Sequence, residues 1–175
     1  PKGEYHINTT LNIFSNTELY LDEKTTLIQD APKGQNIVKA GDFSQKHILY
    51  NGFRNIKIHG GKWDMKFNGS CAMRLVIAEF KYFKRSYYKY KGRHIEAAAV
   101  DTLSITDCTF EKTLRYTGNS CEAIQLDILH DSKHFPGFEE FDDTPNKNVT
   151  ISGCTFSNLY SGIGTRSAVV SKYFD

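Results

Sequence analysis

The chain alternates apolar and polar residues over short stretches that recur along its length. Three stretches resemble one another position by position, at 55–63, 102–110 and 148–156, and a weaker copy lies at 79–87. Alternation over four or five positions is typical of a β-strand that points every second side chain inward. The sequence therefore predicts an all-β protein built on an internal repeat.

The spacing of the copies indicates a solenoid. Corresponding residues are separated by 24, 23 and 46 residues. A period near 23 residues suits one coil of a parallel β-helix, in which equivalent residues stack in columns. The double spacing predicts one coil with an inserted loop at about 129–146, because that segment lacks alternation and contains Pro136, Gly137 and Pro145. We expect one domain over residues 1–175, and a solenoid that continues beyond this chain.

The alignment of the copies predicts the interior of the solenoid. Twelve Phe, ten Tyr and one Trp against two Met favour a core of rigid rings and β-branched side chains. The predicted apolar columns are Ile56, Phe80, Leu103 and Val149, then Ile58, Tyr82, Ile105 and Ile151, then Trp63, Tyr87, Phe110 and Phe156. Cys108 and Cys154 are expected in adjacent coils, either as stacked thiols or as a disulfide.

A second strand in each coil is predicted at 72–76, 94–98, 123–127 and 162–166. If Met73, Ile95, Ile124 and Ile163 point inward, the alternate residues point outward. The outward set is Arg74, Glu96, Gln125 and Gly164, followed one step further by Val76, Ala98, Asp127 and Arg166. This outer surface is the predicted groove.

Several segments resemble a known group of proteins. The opening residues 1–7 and the strand-like residues 11–22 resemble the first coils of the pectin-lyase-like superfamily. Residues 94–96, 122–127, 142–151 and 162–165 resemble bacterial secreted or wall-attached right-handed β-helix repeat proteins. The resemblance implies a right-handed parallel β-helix, a secreted or cell-surface location and an extracellular polysaccharide as partner. The N-T-D, D-D, G-H-G and R-I-K pattern of polygalacturonases does not occur in order.

The predicted groove contains residues that suit two kinds of polysaccharide cleavage. Glycoside hydrolysis needs two carboxyl groups beside the scissile bond, and Glu96 and Asp127 are the predicted pair. Lyase chemistry needs a base and a cation that neutralises a uronate, for which His94 and the arginines Arg74 and Arg166 are candidates. Each of these residues could equally be a solvated strand residue, and the sequence leaves hydrolase and lyase chemistry open.

Other residues are candidates for substrate binding. Gln125 lies on the groove surface, and His130 begins the inserted loop, which is expected to overhang the groove. Phe138, with Phe135 and Phe141, would either stack on sugar rings or hold the loop on the body. Six basic residues interleaved with aromatics at 81–93 would either grip an anionic polymer or form a solvated turn.

Charge and motif content exclude other classes of function. A net charge of +2 is too small for bulk capture of nucleic acid. No apolar run reaches the roughly 18 residues of a membrane span, and the cysteines lack metal-ligand spacing. We expect no cofactor and no metal site, although the acids of the inserted loop would suit calcium. The sequence does not indicate an oligomeric state.

Together these features favour a carbohydrate-active β-helix enzyme, a hydrolase or lyase of an extracellular polysaccharide. The alternative is a noncatalytic glycan-binding or adhesin module of a secreted or cell-surface protein.

Overall fold

A computed structural model describes residues 1–32, 35–41, 49–65, 73–84, 87–89, 94–111, 122–130, 132 and 141–165, with 73–84 and 87–89 described by backbone pairing alone. All regular structure in these residues is β-strand. The strands are β1 (Gly3–Ile7), β2 (Leu11–Ile13), β3 (Glu18–Gln29), β4 (Val38–Ala40), β5 (Phe53–Asp64), β6 (Met73–Lys84), β7 (Tyr87–Lys89), β8 (Ile95–Thr106), β9 (Thr109–Glu111), β10 (Glu122–Asp127), β11 (Lys147–Ser152), β12 (Thr155–Ser157) and β13 (Ser161–Thr165).

Every strand pair of the described residues is parallel, so the chain is a parallel β-helix, as predicted. The strands stack into three faces. The first face contains β2, β4, the start of β6, the start of β8, β10 and β13. The second contains the start of β3, the start of β5, the ends of β6 and β8, and the whole of β11. The third contains β1, the ends of β3 and β5, β7, β9 and β12.

The predicted register of the apolar columns is confirmed on the first face and in the later coils, although Ile163 at the end of its column is 46% exposed. Ile95 pairs with Met73 and with Ile124, which pairs with Ile163. The pairs Leu103 with Val149 and Ile105 with Ile151 also have the predicted register.

Two members of the predicted columns are wrong by one residue. Phe83, and not Tyr82, pairs with Ile58 and Ile105. Tyr88, and not Tyr87, pairs with Trp63 and Phe110. The physical reason is that the pairing of β5 with β6 shifts register on both sides of Ile56, so that an ungapped alignment of the two strands fails there.

Several large side chains of the core are completely buried. Trp63, Phe110, Ile56 and Ile58 are all fully buried. The Phe110 and Phe156 rings of adjacent coils stack with centroids 5.1 Å apart and planes 12° from parallel. Burying each such side chain contributes about 2 to 3 kcal/mol.

The corner between the first and second faces is built from residues with left-handed backbone. Asn16, Asn55, Thr102 and Asn148 occupy equivalent positions there and all have positive φ. Asn is among the few residues that adopt this conformation readily. The Asn55 side-chain amide donates to Oδ1 of Asn16 in the preceding coil, at 3.0 Å. This contact adds a side-chain hydrogen bond to the backbone ladder.

Residues 128–146 lie where the preceding coil has only Ala99 and Val100, because Asp127 pairs with Ala98 and Lys147 with Asp101. Asn146 closes this inserted segment. Its Nδ2 donates to the carbonyls of Ala97 at 3.0 Å and Asp127 at 2.8 Å, and its Oδ1 accepts from the Val100 N–H at 3.0 Å. One side chain thereby satisfies backbone groups of two coils.

The inserted segment also contacts residues that precede β5. Asp142 Oδ2 accepts from the Leu49 N–H at 2.6 Å, and the Tyr50 hydroxyl donates to the Pro145 carbonyl at 2.8 Å. The Lys147 ammonium lies 4.1 Å from the centre of the Tyr50 ring. Two corner loops that are far apart in sequence are therefore joined.

Cys108 and Cys154 are free thiols in adjacent coils. The Cys108 thiol is buried and donates to the Thr106 carbonyl at 3.3 Å, and the Cys154 thiol makes the equivalent contact to Ser152 at 3.4 Å. Of the two alternatives, the structure has stacked thiols. Cys71 and Cys121 lie outside the described residues.

Candidate functional site

The outer positions of the first face have the predicted register. Lys39 pairs with Arg74, Arg74 with Glu96, Glu96 with Gln125, and Gln125 with Gly164. Asp127 pairs with Ala98, one coil after Glu96 and two positions further along the strand. The alignment that brought Glu96 and Asp127 to neighbouring coils is therefore correct.

The expected exposure of this surface is wrong. Glu96 is 1% exposed, Asp127 3% and Gln125 5%. Next to Asp127, the inserted segment packs on this face through Leu129 and Phe141, which contact Ala98 and Ala99. Phe141 thus holds the loop on the body, which was one of its two predicted roles. The predicted carboxylate pair does not line an open groove.

The Asp127 side chain has a local structural contact. Its Oδ1 accepts from the N–H of the next residue, Ile128, at 2.9 Å, where β10 ends and the inserted segment begins. A short acidic side chain that bonds to nearby backbone is typical of a turn. This contact stabilises the departure of the chain from the first face.

His94 lies in the core and not on the groove surface. It is fully buried, and its ring stacks on Phe110 with centroids 5.9 Å apart and planes 12° apart. Its backbone N–H donates to the Ala123 carbonyl at 2.9 Å. The outward placement expected for His94 is therefore wrong, because the residue precedes the strand and points towards the aromatic column.

Of the remaining predicted site residues, the structure describes only the side chain of His130. His130 lies at the base of the inserted segment, where its ring contacts the Asp143 carboxylate. Arg74 is described by its backbone alone, and Arg166 and Phe138 lie outside the described residues. The roles predicted for these residues remain predictions.

Two carboxylates, Asp142 in the inserted segment and Asp101 beside its end, are held in their charged form. Burial raises the pKa of Asp142, but hydrogen bonds from Thr144 and the Leu49 N–H outweigh it and hold the pKa below its usual value. Burial likewise raises the pKa of Asp101, and contacts with Lys147 and Asn148 lower it further than burial raises it. The Lys147 ammonium lies 3.0 Å from Asp101 Oδ2. These acids serve the attachment of the loop.

An open polar surface occurs instead on the second face. Glu18 and Tyr20 of β3 pair with Lys57 and His59 of β5, and together these four residues form what we term the Tyr20 platform. Tyr20 is 77% exposed. Sequence reasoning missed this surface, although the signal was present: Leu19 and Ile58, which alternate with the platform residues, already belonged to apolar strands.

No group of three or more metal-binding side chains lies close together among the residues that the structure describes. Within the same residues, no helix has the length and apolarity that crossing a membrane requires.

Comparison with known proteins gives a match in fold. No protein-family profile matches the sequence, and no characterised protein matches it significantly in sequence. Two solved structures of PfbA, a surface adhesin of Streptococcus pneumoniae, each superpose with a TM-score of 0.79 at 21% identity. The matches cover 98% of this chain and 45% and 48% of the PfbA chains. This chain therefore spans about half the length of the PfbA chains that it resembles.

Proposed function

We propose that this chain is a noncatalytic binding module of a secreted or cell-surface protein, an adhesin-like solenoid that presents its outer surface to a polysaccharide. The observation that carries the proposal is the fold, which closely resembles that of a bacterial surface adhesin over 98% of this chain. Parallel β-helices are long and rigid, and such solenoids are suited to presenting extended surfaces to a partner.

The burial of the predicted carboxylate pair favours binding over cleavage. A glycosidase needs one carboxyl group to protonate the leaving oxygen and another on the opposite side of the sugar ring. Glu96 and Asp127 are 1% and 3% exposed, and one oxygen of Asp127 already accepts a backbone hydrogen bond. A polymer cannot reach either group without displacement of the covering residues.

The proposal is tested by measuring binding and turnover together. The whole chain is incubated with cellohexaose, xylohexaose, chondroitin sulfate, hyaluronan and polygalacturonate. Binding is followed by calorimetry, new reducing ends by a colorimetric assay, and unsaturated uronates by ultraviolet absorbance. We expect binding to at least one of these polymers with no product formation.

The double variant Glu96→Gln with Asp127→Asn distinguishes the two functions. A binding module retains its affinity in this variant, provided that its melting temperature is unchanged. Product formation by the native chain that the double variant loses would overturn the proposal in favour of an enzyme. Absence of binding to all five polymers would overturn the polysaccharide as ligand.

A further inference from the structure

The Tyr20 platform brings an aromatic ring, a carboxylate, an imidazole and an ammonium together on one exposed surface. Leu19 and Ile58 fill the interior between the two strands, so their sequence neighbours lie on the outer side. Glu18 pairs with Lys57, and Tyr20 pairs with His59. The four side chains therefore form two adjacent pairs on two adjacent coils.

Contacts within the platform fix the orientation of its polar groups. Glu18 Oε1 lies 3.0 Å from His59 Nε2, and Glu18 Oε2 lies 3.8 Å from Lys57 Nζ. The Tyr20 and His59 ring centroids are 5.9 Å apart, with the planes tilted by 41°. Glu18 thus contacts both the Lys57 ammonium and the His59 imidazole at one side of the tyrosine ring.

The Tyr20 ring is exposed on the outer side of β3, whose start pairs with β5 alone among the described strands. A tyrosine side chain buries 150 to 250 Å² when it is used in a core or an interface, yet 77% of Tyr20 is accessible to solvent. The ring of Tyr20 therefore offers apolar area next to charged groups.

Aromatic and polar groups in this combination suit a sugar. The face of an aromatic ring carries partial negative charge, whereas the C–H groups on one side of a pyranose ring carry partial positive charge. The hydroxyls at the edge of the same sugar need both donors and acceptors, which Lys57 and Glu18 supply.

The register continues the platform across the second face. His59 pairs with Lys84, Lys84 with Thr106, and Thr106 with Ser152. Neighbouring strands lie about 4.8 Å apart, so this row of polar residues extends for roughly 19 Å from Tyr20 to Ser152. An extended chain of several sugars could therefore follow the row from one coil to the next.

From this arrangement we infer that the second face is the glycan-binding surface, with one pyranose ring stacked on Tyr20 and its hydroxyls bonded to Glu18 and Lys57. The inference rests on the proposed function, and it moves the binding surface away from the first face, where the sequence had predicted it.

The variant Tyr20→Ala tests the inference on whichever of the five polymers the native chain binds. Loss of one stacking contact should weaken binding about tenfold. Tyr20→Phe keeps the ring and should bind within about twofold of the native chain. The matched control is Tyr160→Ala, which removes another exposed tyrosine, 50% accessible, from a site outside the platform.

Amide chemical shifts give a second readout that does not depend on a substitution. Titration of the bound polymer into isotope-labelled protein should shift the amides of residues 18–21 and 56–59 most strongly. Native affinity in Tyr20→Ala, or shifts confined to residues 95–98 and 122–127, would overturn the platform and leave the binding function intact. Absence of binding by the native chain would overturn both proposals.

Discussion

Single residues at the corners of the coils determine how tightly the chain can turn. The corner before the second face uses Asn at three described positions, Asn16, Asn55 and Asn148, and all three have positive φ. Thr102 occupies the equivalent position in β8 with a φ of 63°. A β-branched residue in this conformation is strained, because its side chain crowds the backbone.

We therefore expect Thr102→Asn to stabilise the protein. Relief of the strain should raise the free energy of unfolding by roughly 0.5 to 1 kcal/mol, as measured by urea denaturation. Thr106→Asn serves as the control, because Thr106 ends the same strand without a positive φ, so the substitution has no strain to relieve. A Thr102→Asn variant no more stable than the native chain would contradict the strain argument.

Substitution of Gly60 should destabilise the protein, because its surroundings leave no room for a side chain. Its φ is +71°, and a Cβ atom there would lie 2.2 Å from the backbone oxygen of Leu21. Gly60→Ala should therefore lower the free energy of unfolding by at least about 2 kcal/mol. In Gly162→Ala, the added Cβ would make an ordinary 3.4 Å contact with the Phe156 ring, so that stability should change by less than about 0.5 kcal/mol. Similar melting temperatures for the two variants would refute this explanation.

At the scale of elements, the described part of the inserted segment is attached by several hydrogen bonds and one small apolar cluster. Its described apolar contact is the small cluster of Leu129 and Phe141 on Ala98 and Ala99. The polar contacts include the three hydrogen bonds of Asn146 and the carboxylate of Asp142 at the Leu49 N–H. Attachment of the segment should therefore respond to pH.

The sign of this response follows from the lowered pKa of Asp142. A carboxyl group whose pKa is lower in the folded state than its usual 3.8 stabilises the fold above that value. The stabilisation is lost as pH falls through the folded pKa. Asp142→Asn should consequently lose less stability than the native chain between about pH 5 and pH 2.

Urea denaturation across this pH range measures the difference between the two proteins. Glu23→Gln is a suitable control, since it removes an acid from an exposed position of β3. If Asp142→Asn and the native chain lose stability in parallel, the carboxylate at Leu49 does not hold the segment.

Strand pairing was predictable wherever the repeat runs without a bulge. The alternation in β8, β10 and β11 gave the correct partners, for example Ile95 with Ile124 and Leu103 with Val149. The pairing of β5 with β6 was not predictable, because two register shifts near Ile56 leave no mark on the apolar pattern of either strand. A shift of one residue exchanged Tyr82 for Phe83 in the column, which also changes which residues can face a ligand.

At the scale of the whole molecule, the sequence did not predict which outward-facing residues of the coils are buried. The sequence placed Glu96 and Asp127 on the outer side of the first face, which the register supports. Both residues are nonetheless almost completely buried, and local alternation carries no information about what covers the outer side of a strand. The fold could therefore be predicted from the sequence, whereas the position of the open surface could not.

The link between the corner loops has a mechanical consequence. In most solenoids each coil touches only its neighbours, so tension along the axis can peel them away singly. Here Asp142 and Pro145, from the coil of β10 to β12, bond to Leu49 and Tyr50, from the coil of β4 and β5. These bonds pass over the two intervening coils and link two coils that are not neighbours. Under tension, the linked coils should therefore unfold together as one unit. A molecule exposed to flow would resist unfolding in this segment.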